Sequence, residues 1–262
     1  MIHPAYGVPR PVTPLASVLL AENPSPMTLE GTNTWVLRAP GETACIVVDP
    51  GEDDEEHLRR VAAQGPVALV LLTHRHHDHA GGARRFAELS GAPVRALDPS
   101  LVLGSEALTD GDVVAAAGVE LRVVATPGHT SDSLSFLLDG PGAEPAVLTG
   151  DTILGRGTTV IAHPDGTLGP YLGSLRRLAE LAPGTAVLPG HGPELPDAPA
   201  VANAYLAHRE QRLDQVRAAL AELGPEATPR QVVEVVYADV DRTLWPAAEL
   251  SVRAQLDHLR AP

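Results

Sequence analysis

The chain has 262 residues, enough for one large domain or a main domain with a small one, and its 44% apolar content suffices for a real core. Its net charge is −14 and all 19 basic residues are arginine, which excludes a lysine nucleophile and argues against broad, charge-driven nucleic-acid binding, though not against a local cationic site. No apolar run reaches the length of a membrane span, the proline-rich start lacks a signal-peptide core, and one cysteine excludes an intramolecular disulfide, so a cytoplasmic protein is expected.

Two strands open the fold, Ser17 to Ala21 and Thr34 to Arg38. Pro40-Gly41 turns the chain into a third, Ala44 to Val48, where Cys45 is expected to be a small core residue. The acidic stretch DPGEDDEE suits a helix N-terminus, where the dipole favours negative charge, and that helix should run to about Ala63. VALVLLT (67–73) is a continuous apolar run of strand length, as a strand buried on both faces requires. AGGARRFAELS reads as a helix. The strands VELRVVAT, LSFLL and AVLTGD follow, then the amphipathic helix PYLGSLRRLAEL and a last strand, TAVLPGHG. PELPDAPA is a proline-rich linker. Beyond it the pattern is all helix: Ala200 to Leu223, Pro229 to Tyr237 with Thr228 as N-cap, and Pro246 to Leu259. A boundary near residue 198 divides the chain into 1–198 and 199–262.

One segment, LLTHRHHDHAGG, places four histidines and an aspartate in six positions, between an apolar run and a Gly pair. Other polar residues stand at the ends of apolar strands in the same way: His129 in TPGHT, Asp151 in TGDT and His191 in LPGHG. In sheet-plus-helix folds, functional side chains gather at carboxyl strand ends because a rigid scaffold holds the loops there. The first cluster, with His74, His76, Asp78 and His79, is therefore expected to meet His129, Asp151 and His191. Five imidazoles and two carboxylates make two metal sites, and with no cysteine among them the donors suit Zn, Fe or Mn. One histidine at a strand end is ordinarily a hydrogen-bonded loop residue; seven such groups are not. His77 is expected to point away, His163 to be a loop residue, and His3, His57 and His258 to be solvated. In GTNTW, Gly31 permits a tight turn, and Thr32, Asn33 and Thr34 either satisfy local backbone groups or face substrate.

THRHHDHAGG matches the HxHxDH signature of the metallo-β-lactamase-fold hydrolases, and TPGHT, TGDT and PGHG match that superfamily's other ligand-bearing motifs in the same order. The resemblance covers roughly residues 15–195. It implies an α/β fold, an αββα sandwich with two divalent metal ions, zinc first among them, at one edge. It also implies that His74, His76 and His129 hold one ion, that Asp78, His79 and His191 hold the other, and that Asp151 bridges. NPSPMTLEGTNTWVL, ILGRGTTVI and the helical region containing YLAHRE narrow the resemblance to the β-lactamase-like protein 2 family. That family's C-terminal region is winged-helix-like. It includes an endoribonuclease acting on single-stranded RNA, and fungal relatives that release polyketides from carrier proteins as thioesterases. By that resemblance residues 199–262 are expected to form a small, all-helical, winged-helix-like domain, in which a two-stranded wing is not expected.

The chemistry so implied is hydrolysis by a hydroxide bridging two metal ions, with no serine or cysteine nucleophile. Aspartate at position 151, where many β-lactam-cleaving members carry cysteine, argues against antibiotic hydrolysis. The substrate is expected to be RNA, which the narrower resemblance favours slightly, or a small or carrier-bound acyl thioester or ester. For RNA, Arg75, Arg84, Arg85, Arg156 and Arg209 would line a local groove. A non-catalytic metal module is disfavoured by the full ligand set, and a flavin-dependent redox scaffold by the short C-terminal region. Asp78, Asp151 and His208 are the candidate catalytic residues. His208 and Arg209 lie on a helix with an apolar stripe of Tyr205, Leu206, Leu213 and Val216. If that helix crosses the mouth of the cleft, His208 would protonate a leaving group or contact substrate and Arg209 would bind an anionic portion; otherwise they are a boundary histidine and a surface arginine. A homodimer is a further expectation, a membrane partner is not.

Overall fold

A computed structural model describes residues 5–140 and 144–260. The expectation for His3 lies outside the described residues. Two sheets pack face to face. The first runs in the order β1 (Arg10–Pro11), β2 (Ala16–Leu20), β3 (Asn33–Leu37), β4 (Cys45–Val48), β5 (Val67–Leu71) and β6 (Val94–Arg95). The second contains β7 (Val113–Ala116), β8 (Val119–Ala125), β9 (Leu134–Leu138), β10 (Ala146–Gly150) and β11 (Ala186–Pro189), ordered from β7 at one edge to β11 at the other. Pairing is antiparallel except for β4 with β5, β5 with β6, and β10 with β11. β1, β6 and β7 were not expected from the pattern. Two are only two residues long, and β7 is tied to β8 by a tight turn through Ala117 and Gly118, both at positive φ.

The helices cover the outer faces. Asp54 caps α1 (Glu55–Ala62) by accepting from the backbone N–H groups of Glu56 and His57. The helix read in AGGARRFAELS is α3 (Ala83–Ser90), and a short helix that the pattern did not show, α2 (His77–Ala80), precedes it. The break falls at Gly82, where a Cβ would stand 2.4 Å from the Glu52 carbonyl oxygen. α4 (Leu168–Ala179) and the long α5 (Ala198–Leu223) cover the second sheet, and α6 (Pro229–Val236) and α7 (Trp245–Arg260) follow. Thr228 caps α6 in a reciprocal capping box with Gln231. Among the described residues no strand follows β11, so the C-terminal region is helical.

Three apolar layers explain the stacking. Trp35, Leu37 and Ile46 of the first sheet meet Leu121, Phe136 and Leu148 of the second in the central core. Val47 and Val70 face outward onto Leu58 and Phe86 of α1 and α3. Leu137 and Val147 face outward onto Tyr171, Leu175 and Tyr205. β3, β4, β9 and β10 are buried along their whole length, although β3, β9 and β10 include polar residues, whereas β5, read as a continuous apolar run buried on both faces, is buried only from Leu69 to Leu71 because its start lies at the surface. The molecule is thus an αββα sandwich. Cys45 is fully buried in the α1–α3 layer, and burial raises its thiol pKa, as a core residue requires. α5 contributes to two cores: its first half packs against α4, and Val216 and Ala219 join Val232, Trp245 and Val252 of the last helices. No helix among the described residues is long and apolar enough to cross a membrane.

Candidate metal centre

The carboxyl ends of β5, β8, β10 and β11 converge on one edge of the sandwich. There His74, His76, His129 and Asp151 form one group of donors, and Asp78, His79 and His191 a second, the donor atoms of each lying within 4.8 Å of one another. The seven residues expected to meet do meet. His77 is exposed and belongs to neither group.

The outer partners of these side chains decide which nitrogen faces inward. Thr73 Oγ1 donates to Asp49 Oδ2 at 2.6 Å, so His74 Nδ1, 3.0 Å from that hydroxyl, is left to act as donor. His129 Nδ1 donates to the Val160 carbonyl at 2.6 Å, His79 Nδ1 to Asp49 Oδ2 at 2.8 Å, and His191 Nδ1 to the Gly31 carbonyl at 3.2 Å. In its neutral form each of these four rings would turn a bare Nε2 lone pair inward. Two of those lone pairs, on His74 and His129, lie 3.0 Å from His76 Nδ1. His79 Nε2 and His191 Nε2 face each other at 3.2 Å. Lone pairs gathered so closely need a positive charge among them.

The carboxylates give the same answer. Asp151 Oδ1 is enclosed and has no hydrogen-bond partner, although His79 Nε2 stands 3.4 Å away. Asp151 Oδ2 lies 3.4 Å from His191 Nε2 and 3.6 Å from His129 Nε2, so this side chain looks toward both groups. Burial opposes its ionisation, but His191 and His79 outweigh that and hold it well below the usual carboxylate range; for Asp78 too, His79 and His191 overcome burial. Burial lowers His74 and His129 and brings His76 to about 4. In the second group burial is overcome by Asp151 and its fellow carboxylates, which raise His79 and bring His191 to about 9. Without a cation, protons would be drawn into the second group; divalent ions supply that charge and leave the ring nitrogens free as ligands. Nitrogen and carboxylate donors without thiolate fit zinc, iron or manganese.

Sequence reasoning missed Asp49. Buried at the end of β4 with φ 54°, it holds Thr73 by backbone and hydroxyl and orients His79. Its signal was the strand-end motif VVDPG, of the same form as TGDT. GTNTW acts at a distance rather than on local backbone. Asn33 donates to the Pro189 and Gly192 carbonyls on either side of His191, Thr34 donates to the Asp49 carbonyl, and Thr32 Oγ1 lies 3.4 Å from Asp78 Oδ2. His57 is not solvated. It is 5% exposed on the buried face of α1, with Nε2 2.9 Å from Thr34 Oγ1. His163 sits in a turn, 2.8 Å from Asp257, and His258 is exposed, both as expected.

A cavity of about 440 Å³ opens beside His129 and Asp151. Leu29, Leu154, Val240, Leu244 and Ala248 line it, so the N-terminal loop and the C-terminal helices face each other across it. The helix carrying His208 does reach this cavity, and His208 lines it half-buried. Arg209 is not a surface residue: it is 3% exposed, donates to the Thr159 carbonyl and lies over the Tyr171 ring at 5.1 Å. The five arginines do not form one groove. Arg75 pairs with Asp132 and Asp165, Arg85 with Glu55 and Glu88, and Arg156 with Glu30. Only Arg156 and Arg209 of the five line this cavity; Arg75 and Arg84 line a separate cleft.

Residues 27–191 match the metallo-beta-lactamase superfamily, and residues 228–261 match the beta-lactamase associated winged helix domain. The chain is 32% identical to the beta-lactamase-like protein 2 homolog of Drosophila melanogaster, over 92% of this chain and 86% of that one. It is 34% identical to the atrochrysone carboxyl ACP thioesterase of Aspergillus fumigatus, over 90% of this chain and 79% of that one. Its fold is similar to that of a beta-lactamase domain protein from Burkholderia ambifaria, with a TM-score of 0.78, 24% identity, and coverage of 98% and 89% of the two chains.

Proposed function

Because the chain belongs to the metallo-β-lactamase superfamily, a family of metal-dependent hydrolases, we propose that it cleaves the thioester or ester bond of a small or carrier-bound acyl substrate. The observation that carries this reading is the cavity beside His129 and Asp151: aliphatic side chains make up much of its wall, and its three arginines are already engaged, Arg156 with Glu30, Arg209 with the Thr159 carbonyl and Arg212 with the Val236 carbonyl. An acyl chain gains from such walls, at roughly 25 cal/mol per Å² of apolar surface removed from water. A polyanion would have to compete with the internal partners of those arginines. The thioesterase among the similar proteins supports the same choice.

In this reading His74, His76 and His129 hold one divalent ion, Asp78, His79 and His191 hold the other, Asp151 serves both, and zinc is the first candidate. Bound there, divalent ions would supply Lewis acidity, acidifying water for attack and polarising the scissile carbonyl. The protein's part is orientation. Asp49, Thr73, Val160 and Gly31 fix the imidazoles by their outer nitrogens, which holds the inward lone pairs at constant spacing. Leu29 and Leu154, with Val240 and Leu244 opposite, exclude bulk water from the acyl body. Asp78 and Asp151 stay ionised and keep their negative charge on the reacting edge.

The test offers purified, metal-characterised protein an acyl-thioester panel and single-stranded RNA side by side. Thioester turnover that is lost on chelation and returns with metal is expected. Metal-dependent RNA cleavage without thioester turnover would replace this reading with the endoribonuclease one.

A further inference from the structure

His208 is the one polar ring that α5 contributes to the cavity lining, and the metal centre does not use it. Its Nδ1 is enclosed and has no hydrogen-bond partner. An enclosed N–H without an acceptor is rarer and costlier than a bare lone pair, so the neutral ring carries its proton on Nε2. With Nδ1 shut in, Nε2 is the nitrogen that can meet a ligand in the cavity. The charged form is disfavoured by burial and then by Arg209 and Arg212, which favours the neutral ring. The flanking groups are committed elsewhere: Arg209 to the Thr159 carbonyl, and Arg212 to Gln215 and the Val236 carbonyl while lying over the Tyr237 ring. On the wall nearest the chain's end Val240, Leu244, Ala247 and Ala248 are apolar, and Tyr237, beneath Arg212, and Ser251 carry its two hydroxyls.

We infer that His208 is a specificity-determining residue, whose Nε2–H recognises an oxygen acceptor on the acyl body, so that the cavity selects oxo- or hydroxy-substituted acyl groups over saturated ones of the same length. This rests on the acyl reading above. A site built to hydrogen-bond a substrate oxygen discriminates against the analogue that lacks it, because its own donor is then left unpaired.

The experiment compares N-acetylcysteamine thioesters of octanoate with those of its 3-, 5- and 7-oxo derivatives, using the metal-loaded full chain. At least one oxo substrate should exceed octanoyl in kcat/KM by ~10-fold or more. His208→Ala should erase that preference, and His208→Gln, which keeps a donor, should restore part of it. Metal content and Tm of both variants verify that the fold and the centre are intact. Calorimetric binding of the free acids, 5-oxooctanoate against octanoate, supplies a readout independent of turnover and should show the same loss in His208→Ala. Hydrolysis with the same oxo-to-octanoyl ratio in wild type and His208→Ala overturns the role of His208 alone. No hydrolysis of any thioester overturns the acyl reading and this inference with it.

Discussion

Asp151 Oδ1 is a buried carboxylate oxygen without a hydrogen-bond partner, and Asp151 Oδ2 faces histidines of both donor groups. Asp151→Asn removes the charge and keeps the shape. It should lower kcat by ~100-fold or more and reduce bound metal, read by elemental analysis, with little change in circular dichroism. Activity within about twofold of wild type would show that Asp151 does not serve both sites. Asp49 touches no inward-facing atom yet sets the tautomer of His79 and the position of Thr73. Asp49→Asn should weaken metal affinity or activity by ~10–100-fold, measured by competition with a chromogenic chelator. His57 tests the reading of α1. Burial first, against the pull of Asp54, lowers its pKa to about 4. The unfolded chain, with a pKa of about 6.5, takes up that proton first, so the contribution of the neutral ring is complete above about 6.5 and is lost as pH falls toward about 4. Across that window wild type should lose roughly 3 kcal/mol more than His57→Gln in urea unfolding. Parallel pH profiles for the two proteins would show that His57 is not held neutral.

The elements that carry the ligands depend on close approaches as much as on pattern. β11 ends in PGHG because its backbone passes against the site: a Cβ on Gly190 would stand 2.6 Å from Asp151 Oδ1 and 2.7 Å from His79 Cε1. Gly190→Ala should therefore displace one of those side chains and lower metal occupancy, with Tm measured on the metal-free protein falling far less than kcat. Full occupancy and turnover would mean that the β10–β11 end can shift to make room. The loop after β8 is held from outside as well. Ser131 bonds Asp165 through its backbone N–H and its hydroxyl, and Arg75 ties Asp132 and Asp165 to the β5 loop. That arginine, which could be read as a phosphate contact, is a brace between the two loops that present His74, His76 and His129.

For the whole molecule, net charge and the pairing of the arginines lead to one expectation. KM for an acyl thioester should change by less than about twofold between about 50 and 200 mM salt, because few substrate contacts release counterions. A steep rise in KM over that range would reveal an anionic substrate held by cations the structure pairs internally. The cavity also joins distant parts of the chain: the 26–29 segment forms one wall and residues 237–251 the other, with His129 and Asp151 between them.

The seven donor residues and the buried strands were legible in the sequence because each rests on a local rule. A buried strand reads as a short, mainly apolar run, and a ligand at its end stands out as a polar residue in a turn rich in glycine or proline. The acidic start of α1, the Thr228 cap of α6 and the core place of Cys45 are local in the same sense. What only the tertiary structure decided are matters of long-range partnership. Asp49 and GTNTW look like ordinary turn residues until β4 and β11 bring them to His79 and His191. Arg209 has the residue type of a surface group and is buried because α4 supplies the Tyr171 face and the 159 carbonyl supplies an acceptor. His57 lies in a run of charges yet turns inward, since the third position after the Asp54 cap falls on the face of α1 that covers the first sheet. Local pattern determines which residues lie at strand ends and on helix faces; which partner each then meets depends on how the two sheets and α5 stack, and no spacing along the chain encodes that.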